Sequence, residues 1–110
     1  MPSVFTRKVS SGIGTTPTSV GSFTVPAGTT ATAIGLSVAN TSGSQVTVDV
    51  ALYNGTTDFF ILKNVPIAAG ASVLPIGGGQ KVVLVAGDSI RIDSSAAASV
   101  DAILSLLEIS

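Results

Sequence analysis

Asp88 and Asp93 are the carboxylates whose spacing comes nearest to a chemical site. Two neighbouring acids can share a proton for general acid–base work, or offer oxygens to a calcium ion. A calcium loop crowds several oxygen ligands into about a dozen residues, and this stretch supplies too few. Asp88 therefore reads as a turn residue in Ala86-Gly87-Asp88, and Asp93 as a solvated strand end. Gly77-Gly78-Gly79-Gln80-Lys81 invites comparison with a phosphate cradle. It lacks the glycine spacing and the Ser or Thr of a P-loop, and it leads into a strand-like run, so it reads as a flexible hairpin loop.

The chain has no histidine and no cysteine. That removes Ser–His and Cys–His nucleophiles, thiolate and imidazole metal sites, and the commonest general base. No catalytic, cofactor-binding or metal-binding residue is expected, and the chain is not expected to be an enzyme. Asn40-Thr-Ser42 and Asn54-Gly-Thr56 match the glycosylation pattern. With no apolar leader in the first residues, they are expected to be incidental. A sugar-binding face would want exposed aromatics, and the chain has no Trp, one Tyr and four Phe. The phenylalanines are better explained as core or interface.

Composition points the same way. The 110 residues are 45% apolar and only 10% charged, with mean hydropathy +0.66. Ordinary domains carry about 25% charged residues. Depletion of charge is shared by buried interfaces, so a surface covered in a permanent assembly is expected. Five basic residues against six acidic ones give no footprint for nucleic acid. No apolar run approaches the roughly 20 residues that cross a bilayer, so no membrane partner is expected.

The elements that position these residues read as strands. Val46, Val48, Val50 and Leu52 alternate with Thr47, Asp49 and Ala51, the signature of a half-buried strand. Tyr53-Asn54-Gly55-Thr56 is a hairpin turn leading into Asp58–Lys63. Both faces of that returning strand are apolar, Phe59 and Ile61 against Phe60 and Leu62, so one face needs a core and the other a partner. Further strands are expected over residues 3–9, 20–25, 30–40 and 72–76, the last at an edge because Pro75 cannot donate to a ladder. Val82–Val85 reads as a strand covered on both faces, and Ser89–Asp93 as half-exposed. Val100–Ile109 fits either a helix with Ser95 as N-cap or a strand buried on both sides. The strand is preferred, because a lone helix would lack a place to pack.

Pro26-Ala-Gly28, Ala68-Ala-Gly70 and Val85-Ala-Gly87 repeat one corner, with glycine supplying the conformation that others resist. The expected fold is all-β: a single antiparallel β-sandwich, jelly-roll-like, of about eight strands. Residues 1–18 are expected to form an N-terminal strand and irregular arm, and residues 19–110 the sandwich. Phe5, Arg7 and Lys8 on the arm, with Phe60 and Leu62, are the candidate interface residues.

From Ile34 to Ile109 the chain resembles a group of small virion proteins of tailed bacteriophages. The likeness is carried by VANTSGSQVTVDVALYNGTTDFFILKNVPIAAG and GGGQKVVLVAGDSIRIDSSAAASVDAILSLLEI. It implies a β-sandwich or jelly-roll subunit of the virion, assembled in a bacterial host, with no catalytic residues to carry over. It further implies a homo-oligomer, commonly a trimer, whose partners are further copies and the major capsid protein or other virion proteins. The resulting expectation is a head decoration (cement) protein. The alternatives are a tail, neck or baseplate component and, more remotely, a monomeric ligand- or carbohydrate-binding sandwich.

Overall fold

The computed structural model describes residues 3–77 and 81–109. Within them lie nine strands, one short 3-10 turn at Val20–Ser22, and no α-helix. The strands are β1 (Ser3–Ile13), β2 (Thr18–Ser19), β3 (Thr30–Asn40), β4 (Val46–Tyr53) and β5 (Asp58–Ile67), followed by β6 (Ser72–Ile76), β7 (Val82–Leu84), β8 (Ser89–Ser94) and β9 (Val100–Ile109). They form two antiparallel sheets. Sheet A runs β1-β9-β3-β6, with β7 end to end with β6 along β3; sheet B runs β2-β8-β4-β5.

Alternation in the sequence decides which side each strand buries. On β4, Val46, Val48 and Val50 are buried, and Val50 and Leu52 stand opposite Ile92 and Ile90 of β8. On β9, Val100, Ala102, Leu104 and Leu106 are buried, against Ala31, Ala33, Leu36 and Val38 of β3. The core between the sheets is therefore aliphatic: every apolar residue in it is Val, Leu, Ile or Ala. The fold is the expected β-sandwich.

The three corners are one device. Thr29 N–H donates to Pro26 C=O, Ala71 N–H to Ala68 C=O, and Asp88 N–H to Val85 C=O. In each turn the third residue is glycine with positive φ: +79° at Gly28, +75° at Gly70 and +93° at Gly87. Asp88 finishes its corner by accepting the Val85 N–H at 2.9 Å, so it is a turn residue, as expected. The Asn54-Gly55 hairpin forms as expected too, Asn54 Oδ1 accepting the N–H groups of Thr56 and Thr57.

Four expectations are corrected. The N-terminal segment is not a separate arm: Ser3–Ser10 pairs residue for residue with Ile109–Ala102 of β9 and belongs to sheet A. Residues 20–25 are not a strand. Val20–Ser22 makes a 3-10 turn, and Val25 instead bonds the β7–β8 corner, donating to Asp88 C=O and accepting from Gly87. Val82–Val85 is covered on one face only: Leu84 is buried, but Val83 is 60% exposed, because no second layer of the described residues lies over the outer face of sheet A. β9 is a strand, but not buried on both sides, since Ile103 faces outward, half-exposed. The glycine loop falls partly on residues 78–80, outside the described residues, as do Met1 and Pro2 of the expected arm.

Gly21 explains why the chain can turn tightly beneath β1. Its φ is +64°, its N–H donates to Ser10 Oγ at 2.8 Å, and a Cβ there would lie 2.7 Å from Lys8 Cβ. Gly21→Ala is expected to cost about 1 kcal/mol, as strain in the turn or displacement of β1. Urea unfolding checks it, against Gly28→Ala at a corner with open space around it. Equal losses at the two positions would show that only backbone conformation matters.

Candidate functional site

The two outer faces of the sandwich differ in chemistry. On sheet B, outward positions of β4, β5 and β8 gather Asp49, Asp58, Lys63, Arg91 and Asp93, five of the chain's eleven charged residues. Arg91 grips Asp58 with two bonds, Nε to Oδ1 at 3.2 Å and Nη2 to Oδ2 at 2.8 Å. Its guanidinium lies 3.7 Å from the Tyr53 ring centre. This planar, doubly bonded arrangement is one that lysine could not reproduce. Lys63 Nζ sits 3.6 Å from Asp49 Oδ2 and 4.4 Å from the Phe60 ring centre.

Asp49 and Asp93 stand directly opposite each other on β4 and β8. Two like charges there would repel, so the carboxyls titrate apart. Burial and the neighbouring Asp49 carboxyl push Asp93 up to about 6. Burial also acts upward on Asp49. The backbone N–H of Asn64, the neighbouring Asp93 carboxyl and the Lys63 ammonium outweigh it and hold Asp49 below the usual carboxylate range. Asp49 thereby pins the bulge where Asn64 takes a φ of +53°.

A pair of carboxyls with separated affinities is the arrangement that acid–base enzymes use. Here it lines a notch of only about 50 Å³. That holds a few waters, against the roughly 300–1,000 Å³ of a substrate pocket. Among the described residues no group of three or more acids is placed to hold a metal ion. The sequence pairing of Asp88 with Asp93 is thus replaced by Asp49 with Asp93. Asp93 is the penultimate residue of β8, near the strand end as expected, but half-buried instead of solvated. Two strands that are not consecutive in the chain bring it to Asp49, so no local spacing announced the pair.

Sheet A presents the opposite surface. Phe5 and Val9 of β1 stand beside Leu107 and Ile103 of β9, and Leu74, Val83 and Val85 are exposed at its far edge. Two shallow depressions, about 410 and 260 Å³, cross this face. Phe5, Arg7 and Ser105 line the first, and Leu74, Ile103 and Gly35 the second. The only charge among these side chains is Arg7.

Of the five candidate interface residues, the structure brings Phe5, Arg7 and Lys8 together on one sheet edge and sets Phe60 on another. Phe5 is 75% exposed and Arg7 is exposed beside it. Lys8 turns inward, its Nζ 4.7 Å from the Phe23 ring centre. Phe60 points outward from β5, as expected. Leu62 does not share its face: a bulge changes the register between Val50–Leu62 and Ala51–Phe60, and Leu62 packs against the core. Phe59, outside that set of candidates, is 56% exposed. None of the four phenylalanines is buried, although core and interface were both open to each of them.

Fold and surface together define an antiparallel β-sandwich with one charged and one apolar outer face. No protein-family model matches the chain, and no curated protein does. Among solved structures, the chain is similar to one described as "Bacillus endospore appendages form a novel family of disulfide-linked pili". The identity is 15% and the TM-score 0.58, over 98% of this chain and 88% of that one. At that identity the likeness is one of fold.

Proposed function

We propose that this chain is a non-catalytic structural subunit that works by assembling with further copies of itself. The observation that carries the reading is the placing of its aromatic residues. An aliphatic core leaves Phe5, Phe59 and Phe60 half or more exposed, where a lone soluble domain gains nothing from them. Aromatic side chains outside a core are what protein interfaces collect, while charged ones are depleted there. The sequence resemblance supports placing the assembly on a tailed-phage particle, as a decoration subunit of the head.

Light scattering on the purified chain tests the first part. A mass at a multiple of 10.8 kDa is expected, and a stable monomer at high micromolar concentration would overturn it. Mass spectrometry of separated heads and tails tests the second, with recovery in heads expected and recovery in tails alone counting against decoration. The fold likeness to an endospore pilus favours one other reading, a filament subunit. The disulfide linkage of that pilus has no counterpart here, because these 110 residues hold no cysteine. Negative-stain images of the concentrated protein separate the two, filaments supporting the second reading and closed particles the first.

A further inference from the structure

We propose that β1 is a docking edge for a second copy of this chain, the two β1 strands pairing antiparallel about a twofold axis through Thr6. The proposal rests on the self-assembly reading and names the surface it needs. β1 fills one side of its ladder with β9, and no strand of the described residues lies on the other. The backbone groups on that open side fit one kind of partner, another extended strand. From Ser3 to Ser10 there is no proline, and the register shift comes only after Ser10. The inward-facing charge of Lys8, a feature that discourages edge pairing, is turned under the sheet toward Phe23.

Pairing of like with like restricts the register. A twofold axis normal to the sheet keeps both outer faces outward, so a single residue must sit on the axis, opposite itself. With Arg7 there, two guanidiniums would face each other, and like charges directly opposite oppose pairing. With Phe5 there, only Ser3–Arg7 of the described residues would pair, and lengthening the ladder would bring in Pro2, which has no N–H to donate. With Thr6 there, the paired stretch lengthens to Ser3–Val9 and the charges become complementary. Phe5 of each copy then faces Arg7 of the other on the outer face. Phe5 is the most exposed large apolar side chain of the described residues. Arg7 has no carboxylate within 4.0 Å among them, so it is free to stack on that ring.

On the inner face, the same register sets Lys8 of one copy opposite Val4 of the other. Val4 pairs with Glu108 of β9, whose carboxylate accepts the Thr6 hydroxyl at 2.7 Å and has no cation within 4.0 Å among the described residues. Lys8 and Glu108 of different copies then stand two strand spacings apart, about 10 Å, within the combined reach of their side chains once Lys8 leaves the Phe23 ring. Sheet A would continue unbroken across the axis, joining copies in pairs whatever higher order the assembly takes.

Because the chain has no cysteine, a single introduced thiol reports a single contact. On mild oxidation of the full chain, Thr6→Cys is expected to give a covalent dimer, since residue 6 meets its own copy. Val9→Cys is expected to stay uncoupled, its two copies lying six residues apart along the pair, about 20 Å. The double variant Ser3→Cys with Val9→Cys keeps Thr6 and is expected to couple between copies. Phe5→Ala is expected to weaken self-association about tenfold or more by sedimentation. Coupling of Val9→Cys as readily as Thr6→Cys overturns the register. Failure of Thr6→Cys and of the double variant to couple, while the unaltered chain still sediments as an oligomer, overturns this edge and leaves self-assembly standing. An unaltered chain that is monomeric throughout overturns both.

Discussion

Asn40→Ala is expected to destabilise the protein by about 3 kcal/mol, at the upper end of what single substitutions ordinarily bring. Asn40 is 1% exposed at the end of β3, and all of its side-chain hydrogen-bonding capacity is used. Its Nδ2 donates to Ser44 C=O at 2.8 Å and to Ile67 C=O at 2.9 Å. Its Oδ1 accepts the Ser42 N–H at 2.9 Å and the Ser42 hydroxyl at 2.7 Å. One side chain thus closes the β3–β4 turn and ties it to the end of β5. Alanine would leave the buried Ile67 carbonyl without that partner and the turn without its centre, each a cost of roughly 1–3 kcal/mol. For a domain of this size the melting temperature should fall by about 10 °C or more. Asn40→Asp separates donors from acceptors, because it keeps the bonds to Ser42 and loses both donated bonds. It should be at least as damaging at neutral pH, where a carboxylate would face two carbonyls. A loss below about 1 kcal/mol for alanine would show that water replaces the network.

Asn40 also marks what could be read from the chain. As Asn40-Thr-Ser-Gly-Ser44 it signals a turn, and a turn is there, but nothing local says that its amide reaches Ile67, 27 residues on. The same division runs through the fold. β4, the Asn54-Gly55 hairpin and the three glycine corners are local events, set by alternation or by one residue's φ, and they stand where the sequence puts them. The edge position of β6 followed from Pro75 by the same local logic. What failed were statements about covering. Val82–Val85 is as β-branched as a central strand but lies at an edge, because a run of valines reports strand propensity and not which neighbours arrive. Leu62 changed face because of the bulge between Val50–Leu62 and Ala51–Phe60, and a second bulge just beyond it, at Asn64, is held by Asp49 from the neighbouring strand. The N-terminal segment looked too polar for the core, and it is; a sheet edge needs one apolar face and open backbone, which its mixed alternation satisfies. The carboxyl pair was hidden for the same reason, since β4 and β8 are separated by β5, β6 and β7 in the chain.

The two outer faces account for the low charge of the molecule without contradiction. Charge is concentrated on sheet B, where ion pairs and cation–π contacts satisfy it within the subunit. The strands of sheet A carry Arg7, Lys8, Asp101 and Glu108 at their ends and edge, and the apolar row between them continues to the open edge of β1. A molecule arranged in this way offers sheet A as its broad apolar face and Phe59 and Phe60 of β5 as a smaller apolar patch at the edge of the charged one. Loss of the Arg91–Asp58 pair would therefore act on stability and leave self-association largely unchanged, whereas Phe5→Ala would do the reverse.

Asp93→Asn is expected to stabilise the protein at pH 8 by about 1–2 kcal/mol, an unusual sign for a substitution within a sheet. Folding raises the Asp93 carboxyl from 3.8 to about 6, so the folded chain holds that proton more tightly than the unfolded one. The contribution is absent when both states are protonated, below about pH 4. It grows as a penalty while pH rises through the interval to about 6, and is constant above it. Taken at face value, the displacement amounts to roughly 3 kcal/mol. Solvent on the open side of the notch and screening by salt reduce it to the smaller figure. Asp49 acts in the opposite direction, its lowered affinity giving stability that is lost in stronger acid, below the ordinary carboxylate value. Together the two predict a stability maximum between about pH 4 and 5, with a decline toward pH 7. In Asp93→Asn the amide can donate to the Asp49 carboxylate without repelling it, so the decline above about pH 5 should vanish while the acid limb remains. Urea midpoints from about pH 3 to 8, at low and at high salt, test this directly. A variant less stable than the parent at pH 8 would mean that Lys63 and Arg91 compensate the Asp93 charge, and that this face needs all five of its ions.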